Sequence, residues 1–323
     1  MTDSYHIGID ISKAWFDVFI NPLQQHTRYP NTLSGRQALL KTLHSLSTPD
    51  TPIALIVFEA SGGYERPLRQ CLSDAGYPHA CVQPMRVHSY LKAQGHKAKT
   101  DKLDAQALAA FAAAGMVRAS RVQDKDMLAL RDMLRCLETI RAYRANITCQ
   151  IEKCADQTGA GVDALNALLD GVKREDAQLL AQIKAFVKSR ETLSKSVQQL
   201  SSVPGVGFYT ACVLLAELPE LGTCCKAQIA ALTGTAPYTR QSGQWSGKAM
   251  IAGGRHYARK ALYMAALTAS RYNPDLKKIY DRLRQSGKPY KVAIVAIMRH
   301  MVIILNAMMK TNTLWTPKNT PNP

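Results

Sequence analysis

Four acidic side chains occupy positions where folding could bring them together. Asp10 ends the first apolar run, YHIGID, and Glu59 directly follows the β-branched run IALIVF. Asp101 and Asp104 are three residues apart in an alanine-rich segment, so a helix would present both on one face. Any one of these acids alone would be an ordinary cap or solvated side chain. Together they predict a site for two Mg²⁺ ions about 4 Å apart, which would hold a phosphodiester and activate the attacking oxygen.

A candidate nucleophile, a serine, lies in the second half of the chain. Ser242 is in the polar stretch TRQSGQ, and Arg240 beside it could neutralise phosphate charge. A serine hydroxyl attacks phosphorus when a base or a metal activates it, although most serines in such stretches are turn residues. Ser246 is the second choice because it lies four residues further on. Either serine is far from the acids in sequence, so folding or another subunit must bring them together.

The elements around the acids predict an α/β domain over residues 1–120. The apolar runs Tyr5–Asp10 and Trp15–Ile20 predict two antiparallel strands joined by a tight turn, and Ile53–Phe58 predicts a buried central strand. Helical spacing at Arg66–Ala75 and Lys97–Ala114 and a short strand at His79–Val82 complete a pattern typical of a mixed sheet.

The first strand is expected to have two different faces. Its side chains alternate, so Ile7 and Ile9 share one face while Gly8 and Asp10 share the other. Glycine at position 8 would then leave room beside the carboxylate.

Two helical regions follow. Residues 121–200 predict a helical hairpin or coiled coil: Asp124–Ile147 has helical spacing, a break follows at Thr158–Val162, and Leu179–Leu200 keeps a heptad rhythm that only Arg190 interrupts. This apolar face could mediate self-association, or it could pack within its own domain. Residues 201–323 predict a basic, mostly helical domain.

The charge of the chain favours a polyanionic partner. The net charge is +17, and residues 236–323 alone hold 15 Lys and Arg against two Asp and Glu. Phosphate binding explains this excess more simply than solubility does. Gly205 and Gly207 lie in a turn that resembles a helix-hairpin-helix, where backbone N–H groups hold phosphate, although a plain turn is the alternative. The cationic candidates for the same role are Arg240, Lys248, Arg255, Arg259 and Lys260.

Other classes of protein fit poorly. The N-terminus lacks the features of a signal peptide. The apolar run Val292–Met309 contains Arg299, His300 and Asn306, which favours a buried helix over a membrane span. The eight cysteines form no CxxC pair, so we expect reduced thiols, no zinc site and a cytoplasmic protein.

The motifs around the acids resemble those of a known family. GIDISK with Asp10, FEASGGYE with Glu59, and KTDKLDA with Asp101 and Asp104 are similar to the motifs of DEDD insertion-sequence transposases, which are related to Piv-type DNA invertases. The stretches SVPGVG, TGTAPYTRQSGQWSGK, GGRHYARKALYMAAL and RLRQSGKPYKVAIVAIMRH resemble the second conserved region of that family.

This resemblance implies more than the residues alone indicate. It implies a RuvC-like, RNase H-type catalytic domain, Mg²⁺ at the four acids, and Ser242 as the nucleophile that forms a covalent link to DNA. It further implies a non-coding bridge RNA that pairs with donor and target DNA. A homo-oligomer, dimer or tetramer, acting at the bacterial nucleoid is the expected working form.

Three alternatives remain at this stage. A RuvC-like nuclease or Holliday-junction resolvase would use the acids and water without Ser242. An actin-like sugar kinase would need further glycine-rich nucleotide loops, which the sequence lacks. A non-catalytic nucleic-acid scaffold would need only the helical hairpin and the basic surface.

Overall fold

The chain folds as two units, residues 1–122 and 123–323. The structure, a computed structural model, describes residues 4–93, 101–120, 124–154, 158–239, 241–242, 245–247 and 249–317. The description covers the backbone but not the side chains of Asp101, Gln241, Ser242, Trp245 and Ser246.

The first unit contains a five-stranded mixed sheet. The strands lie in the order β3-β2-β1-β4-β5; β1, β2 and β3 pair antiparallel, and β4 and β5 run parallel to β1. The α/β prediction with a mixed sheet is confirmed. The elements are β1 (Tyr5–Ile11), β2 (Trp15–Asn21), β3 (Gln25–Pro30), α1 (Leu33–Leu46), β4 (Ile53–Glu59), α2 (Arg66–Asp74), β5 (His79–Val82), α3 (Pro84–Ala93) and α4 (Asp101–Ala113).

Each face of this sheet packs against different helices. Ile7, Ile9 and Ile11 of β1 belong to the core that includes Leu39 of α1 and Leu68 of α2. The opposite face of the sheet packs against α4, because Leu55 and Val57 of β4 share a cluster with Leu108 and Phe111. The alternation of β1 is therefore confirmed, and position 8 faces α4.

One buried histidine makes the stability of the first unit depend on pH. His79 is 2% exposed, stacks on Phe58 and lies 2.9 Å from the Tyr77 carbonyl oxygen through Nδ1. Burial lowers the pKa of the His79 imidazole below its usual range. The unfolded chain therefore binds a proton below about pH 6.5 that the folded chain resists, and the free energy of unfolding falls as the pH drops through that range.

We expect His79→Gln to remove this contribution. Glutamine keeps polar atoms near Tyr77 and Ser73 but does not titrate. Chemical denaturation of both proteins between about pH 7.5 and about pH 5.5 should show a smaller loss of unfolding free energy in the variant. Equal losses in the two proteins would contradict the assignment to His79.

The second unit is built mainly of helices around one large core. Its helices are α5 (Lys125–Lys153), α6 (Ala160–Lys188), α7 (Glu191–Ser201), α8 (Phe208–Glu217), α9 (Lys226–Leu232), α10 (His256–Tyr272), α11 (Pro274–Gln285) and α12 (Tyr290–Thr311). Short strands pair as β6 (Pro237–Tyr238) with β9 (Met250–Ile251) and β7 (Gln241–Ser242) with β8 (Trp245–Ser246).

Helices α5 and α6 form the predicted hairpin. The carboxylate of Asp176 on α6 is mostly buried and pairs with Arg141 and Arg144 of α5 at 2.8 and 2.7 Å. Leu134 and Ile183 from the two arms belong to the same core as α8, α10 and α12. The division into residues 121–200 and 201–323 stays a prediction.

The second arm of the hairpin is not one continuous helix. The heptad rhythm through Leu179–Leu200 predicts continuity, but α6 ends at Lys188 and α7 begins at Glu191. Arg190 has extended backbone angles at the break. Its guanidinium lies over the Phe186 ring and pairs with Asp126 of α5 at 2.8 Å. The residue that interrupts the rhythm therefore marks the boundary between two helices.

Helix α12 is, among the described residues, the one helix that is long and apolar enough to cross a membrane. Nine of its residues are nevertheless buried, and Ile297, Met301 and Leu305 lie in the core of the second unit. Asn306 also accepts a hydrogen bond from the Gly222 N–H at 2.9 Å. The prediction of a buried helix agrees with this packing.

Candidate active site

The register of β1 and β4 places Asp10 beside Glu59. Gly8 pairs with Val57 and Ile9 pairs with Phe58, so the next step along both parallel strands brings the two carboxylate residues together. Paired positions on adjacent strands project to the same face, and here that face carries α4. Both acids are half-buried.

Helix α4 brings a third acid to the same face. A Cβ atom on Gly8 would lie 2.0 Å from the Ala105 carbonyl oxygen and 2.4 Å from the Ala109 nitrogen. Gly8 was expected to leave room beside the carboxylate, but the helix backbone fills that room. Asp104 directly precedes Ala105, and Gly8 is two residues from Asp10. The absence of a side chain at Gly8 thus lets the helix that carries Asp104 contact the strand that carries Asp10.

We expect Gly8→Ala to destabilise the first unit by about 3 kcal/mol or more, because the new methyl group meets helix backbone that cannot rotate away. Displacement of α4 should also move the helix that carries Asp104 away from Asp10. Gly171→Ala in α6 is the matched control, since a Cβ there meets nothing within 4 Å. The control should raise the unfolding free energy by up to about 1 kcal/mol. Equal stability of the two variants by chemical denaturation would argue against close packing at Gly8.

The fourth acid, Asp101, is the first residue of α4, and its side chain lies outside the described residues. Among the side chains that the structure describes, no three His, Cys, Asp or Glu residues lie close enough together to hold a metal ion. Convergence of all four acids therefore stays a prediction. The donor set itself suits Mg²⁺, because carboxylate oxygens are the ligands that this ion prefers.

The sheet register adds residues that the sequence did not single out. Asp17 of β2 pairs with Asp10 on one side and with Arg28 of β3 on the other. Arg28, Asp17, Asp10 and Glu59 thus form one row across four adjacent strands, which we call the charged row. The sequence feature that could have indicated Asp17 is its place as a single acid inside the apolar run WFDVFI.

The candidate nucleophile lies in the second unit on a pair of short strands. Ser242 of β7 pairs with Trp245 of β8, and Gln241 pairs with Ser246. The side chains of both candidate serines lie outside the described part of the chain, as do Arg240 and Lys248 entirely. Their roles stay predictions.

Three cations proposed for phosphate binding have partners within the second unit. Arg255 donates to Glu220 at 2.6 Å and to the Glu217 carbonyl oxygen at 2.7 Å. Its hydrogen bond to Glu220 raises the pKa of the Arg255 guanidinium above its usual range. Arg259 donates to the Gly253 carbonyl oxygen, and Lys260 pairs with Glu138. These contacts give the three side chains structural roles, and phosphate binding by them stays a prediction.

The glycine turn before α8 has a packing role at one of its two glycines. Gly205 has a φ of +105°, and a Cβ there would lie 2.7 Å from the Ala269 Cβ of α10. Gly207 precedes α8, and a Cβ there would meet nothing within 4 Å. Close approach to α10 therefore explains Gly205, while phosphate binding at this turn stays a prediction.

A separate group of cations is exposed at α11 and the start of α12. These side chains extend into solvent from one helix, the following loop and the first turn of the next helix. Such a surface suits sequence-independent contact with a phosphate backbone. Its members are Lys277, Lys278, Arg282, Arg284, Lys288 and Lys291.

Comparison with known proteins places these features in one family. Residues 7–159 match the IS110-type DEDD family described as "Transposase", and residues 197–281 match the "Transposase IS116/IS110/IS902 family". The chain is 28% identical to the pilin gene-inverting protein of Moraxella bovis, over 95% of this chain and 96% of that protein. It has the same identity and coverage with the protein of that name from Moraxella lacunata.

A shorter match joins the chain to an insertion element. The uncharacterized 43.6 kDa protein of insertion element IS110 from Streptomyces coelicolor is 32% identical over 48% of this chain and 38% of that protein. The resemblance drawn from the DEDD motifs is confirmed. The chain belongs to the IS110 family of DEDD transposases, enzymes that cleave and rejoin DNA in the recombination of mobile elements.

Proposed function

We propose that this protein is a site-specific recombinase that moves a mobile element with metal-bound carboxylates and a serine nucleophile. The observation that carries the proposal is the β1–β4 register, which sets Asp10 beside Glu59 on the sheet face covered by the helix of Asp104. A lone carboxylate needs no such neighbours, whereas a site for divalent ions does.

In this proposal the four acids Asp10, Glu59, Asp101 and Asp104 hold two Mg²⁺ ions. The ions, when bound, would neutralise charge on the scissile phosphate. The Ser242 oxygen forms a bond to phosphorus, the bond from phosphorus to a deoxyribose oxygen breaks, and the proton of the serine passes to that leaving oxygen or to solvent. In the reverse reaction, the deoxyribose oxygen of a different strand end bonds to phosphorus, the bond to Ser242 breaks, and the DNA is rejoined.

A RuvC-like, RNase H-type architecture fits the first unit. Three antiparallel strands followed by two strands parallel to β1 give the order β3-β2-β1-β4-β5. Helices α1 and α2 pack on one face, while α4, with the last two acids, packs on the other. This arrangement supports the proposed catalytic domain.

The exposed cations of α11 and α12 support contact with nucleic-acid backbone rather than with base edges. We propose that a non-coding bridge RNA supplies sequence specificity for donor and target DNA. We also propose that the protein acts as a homo-oligomer at the nucleoid, using the hairpin of α5 and α6, where Leu168 is 55% exposed.

DNA inversion is the second candidate. The relatives named as pilin gene-inverting proteins match along nearly the whole chain, whereas the match to the IS110 protein covers less than half of it. An inverting recombinase would use the same chemistry on two sites in one DNA molecule. It would recognise those sites without a guide RNA.

A reconstituted reaction tests the proposal. Purified protein is incubated with Mg²⁺, a plasmid with the junction of the element, a target plasmid, and the non-coding RNA transcribed from the flank of the gene. We expect joined products and a protein–DNA covalent species, both lost in EDTA. Products that need no RNA would favour the inverting candidate. Hydrolytic nicks without a covalent species would contradict the serine mechanism and favour a nuclease.

A further inference from the structure

An exposed tryptophan lies beside the charged row, at the start of an otherwise buried strand. Five of the seven residues of β2 are buried, whereas Trp15, its first residue, is 49% exposed. Single exposed aromatic side chains are ordinary on protein surfaces, so exposure alone assigns no role to Trp15. Its position relative to the proposed metal ligands is the informative feature.

Trp15 projects to the same face of the sheet as those ligands. Phe16 belongs to the core that includes α1 and α2, so its neighbours along the strand, Trp15 and Asp17, project to the other face. Phe19, which shares that face, packs with Ala105 of α4. Trp15 therefore lies on the face that α4 covers, at the end of the strand where α4 leaves it exposed.

The strand register places Trp15 diagonally opposite Asp10. Asp10 pairs with Asp17 across β1 and β2, and Trp15 is two residues before Asp17. Diagonal neighbours of this kind lie about 7–8 Å apart, a distance that aromatic side chains can span. The turn holds the backbone of Trp15 in place, because Ser12 Oγ donates to the Trp15 carbonyl oxygen at 2.9 Å and accepts from the Trp15 N–H at 3.1 Å.

We propose that Trp15 is a base-stacking platform for the DNA strand held at the acids, with its indole ring against an unstacked base next to the scissile phosphate. The inference rests on the proposed active site. An aromatic ring accepts bases of any sequence, since every base has a π-face. Lys13 in the same turn is exposed and adds a positive charge that suits the backbone of such a strand.

Fluorescence anisotropy on the full chain tests the stacking in EDTA. The probes are two labelled single-stranded oligodeoxynucleotides of equal length and charge, one with bases and one made of abasic nucleotides. Trp15→Leu keeps an apolar side chain without a π-face, and it should weaken binding of the first probe about tenfold and leave the second unchanged. Trp15→Phe keeps a π-face and should stay within about threefold of the unaltered protein for both probes.

Leu23→Ala is the matched control. Leu23 lies in the turn after β2, at the other end of the strand from Trp15, and is 48% exposed. It therefore has nearly the same exposure as Trp15 but lies away from the acids. The variant should bind both probes as the unaltered protein does.

A second measurement needs no Trp15→Leu protein. Stacking of a base on Trp15 should quench its fluorescence, so the base-bearing probe should quench the unaltered protein more strongly than Trp15→Phe, which keeps Trp245 and Trp315. Equal quenching of the two proteins would overturn the proposal. Thermal melting checks the fold of each variant, and should Trp15→Leu not fold, the quenching decides the matter.

The outcomes separate the role of Trp15 from the metal-dependent mechanism. If plasmid nicking depends on Asp10 but Trp15→Leu binds the base-bearing probe normally, the stacking role is overturned and the active site stands. Weaker binding of the abasic probe by Trp15→Leu, or a defect confined to an RNA oligonucleotide of the same length, would also overturn stacking on DNA. Nicking that Asp10→Asn does not affect would instead remove the proposed active site, and the inference with it.

Discussion

Replacement of Asp10 by asparagine is expected to reduce DNA strand cleavage about a thousandfold, equivalent to roughly 4 kcal/mol of lost transition-state stabilisation. Asparagine has nearly the same size, so the register of β1 with β2 and β4 should survive. The amide lacks the negative charge that binds a divalent ion. Nicking of supercoiled plasmid in the presence of Mg²⁺ measures the effect.

The control for this variant is Asp170→Asn. Asp170 lies on α6 with 70% of its side chain exposed and pairs with nearby Lys173 at 3.0 Å. A surface pair of this kind contributes little to stability, so cleavage should stay unchanged. Full cleavage by Asp10→Asn, or an equal loss of cleavage in Asp170→Asn, would contradict a specific role of Asp10 in strand cleavage.

Replacement of Ser242 by alanine is expected to abolish strand joining and the covalent protein–DNA species. The loss should exceed about a thousandfold, because removing a nucleophile leaves only binding and electrostatic contributions. Mg²⁺ binding should not change, since the serine is not among the proposed ligands. Denaturing gels of the protein with end-labelled DNA detect the covalent species.

The matched variant is Ser246→Ala, which changes the second serine of the same pair of strands. We expect it to retain the covalent species and the joined products. Loss of the species in Ser246→Ala alone would transfer the role of nucleophile to Ser246. Normal joining by both single variants would exclude a serine in this stretch as the nucleophile.

Local patterns predicted the parts of the sheet that surround the acids. Alternation along a strand depends only on near neighbours, so β1, β2, β4 and β5 follow from the sequence within one residue at each end. Strand β3 was missed because QHTRYP has no apolar alternation. The apolar alternation is absent because His26 and Arg28 contact the buried carboxylate of Asp17 and not a hydrophobic core.

Contacts between distant residues could not be predicted in the same way. Glu138 lies 122 residues from Lys260, and Glu220 lies 35 residues from Arg255, yet each acid pairs with a cation that was expected to bind phosphate. Charge counting assigned both cations to DNA binding because the sequence does not reveal their partners. The space beside Gly8 was misjudged for the same reason, since α4 follows almost a hundred residues later.

The most direct measurement is the anomalous diffraction of crystals grown with Mn²⁺. The expected result is one or two manganese peaks between β1 and the first turn of α4, with oxygens of Asp10, Glu59 and at least one of Asp101 and Asp104 at about 2.1 Å. Manganese bound elsewhere, or carboxylates of β1 and α4 that turn away from each other in the crystal, would contradict the metal-dependent mechanism.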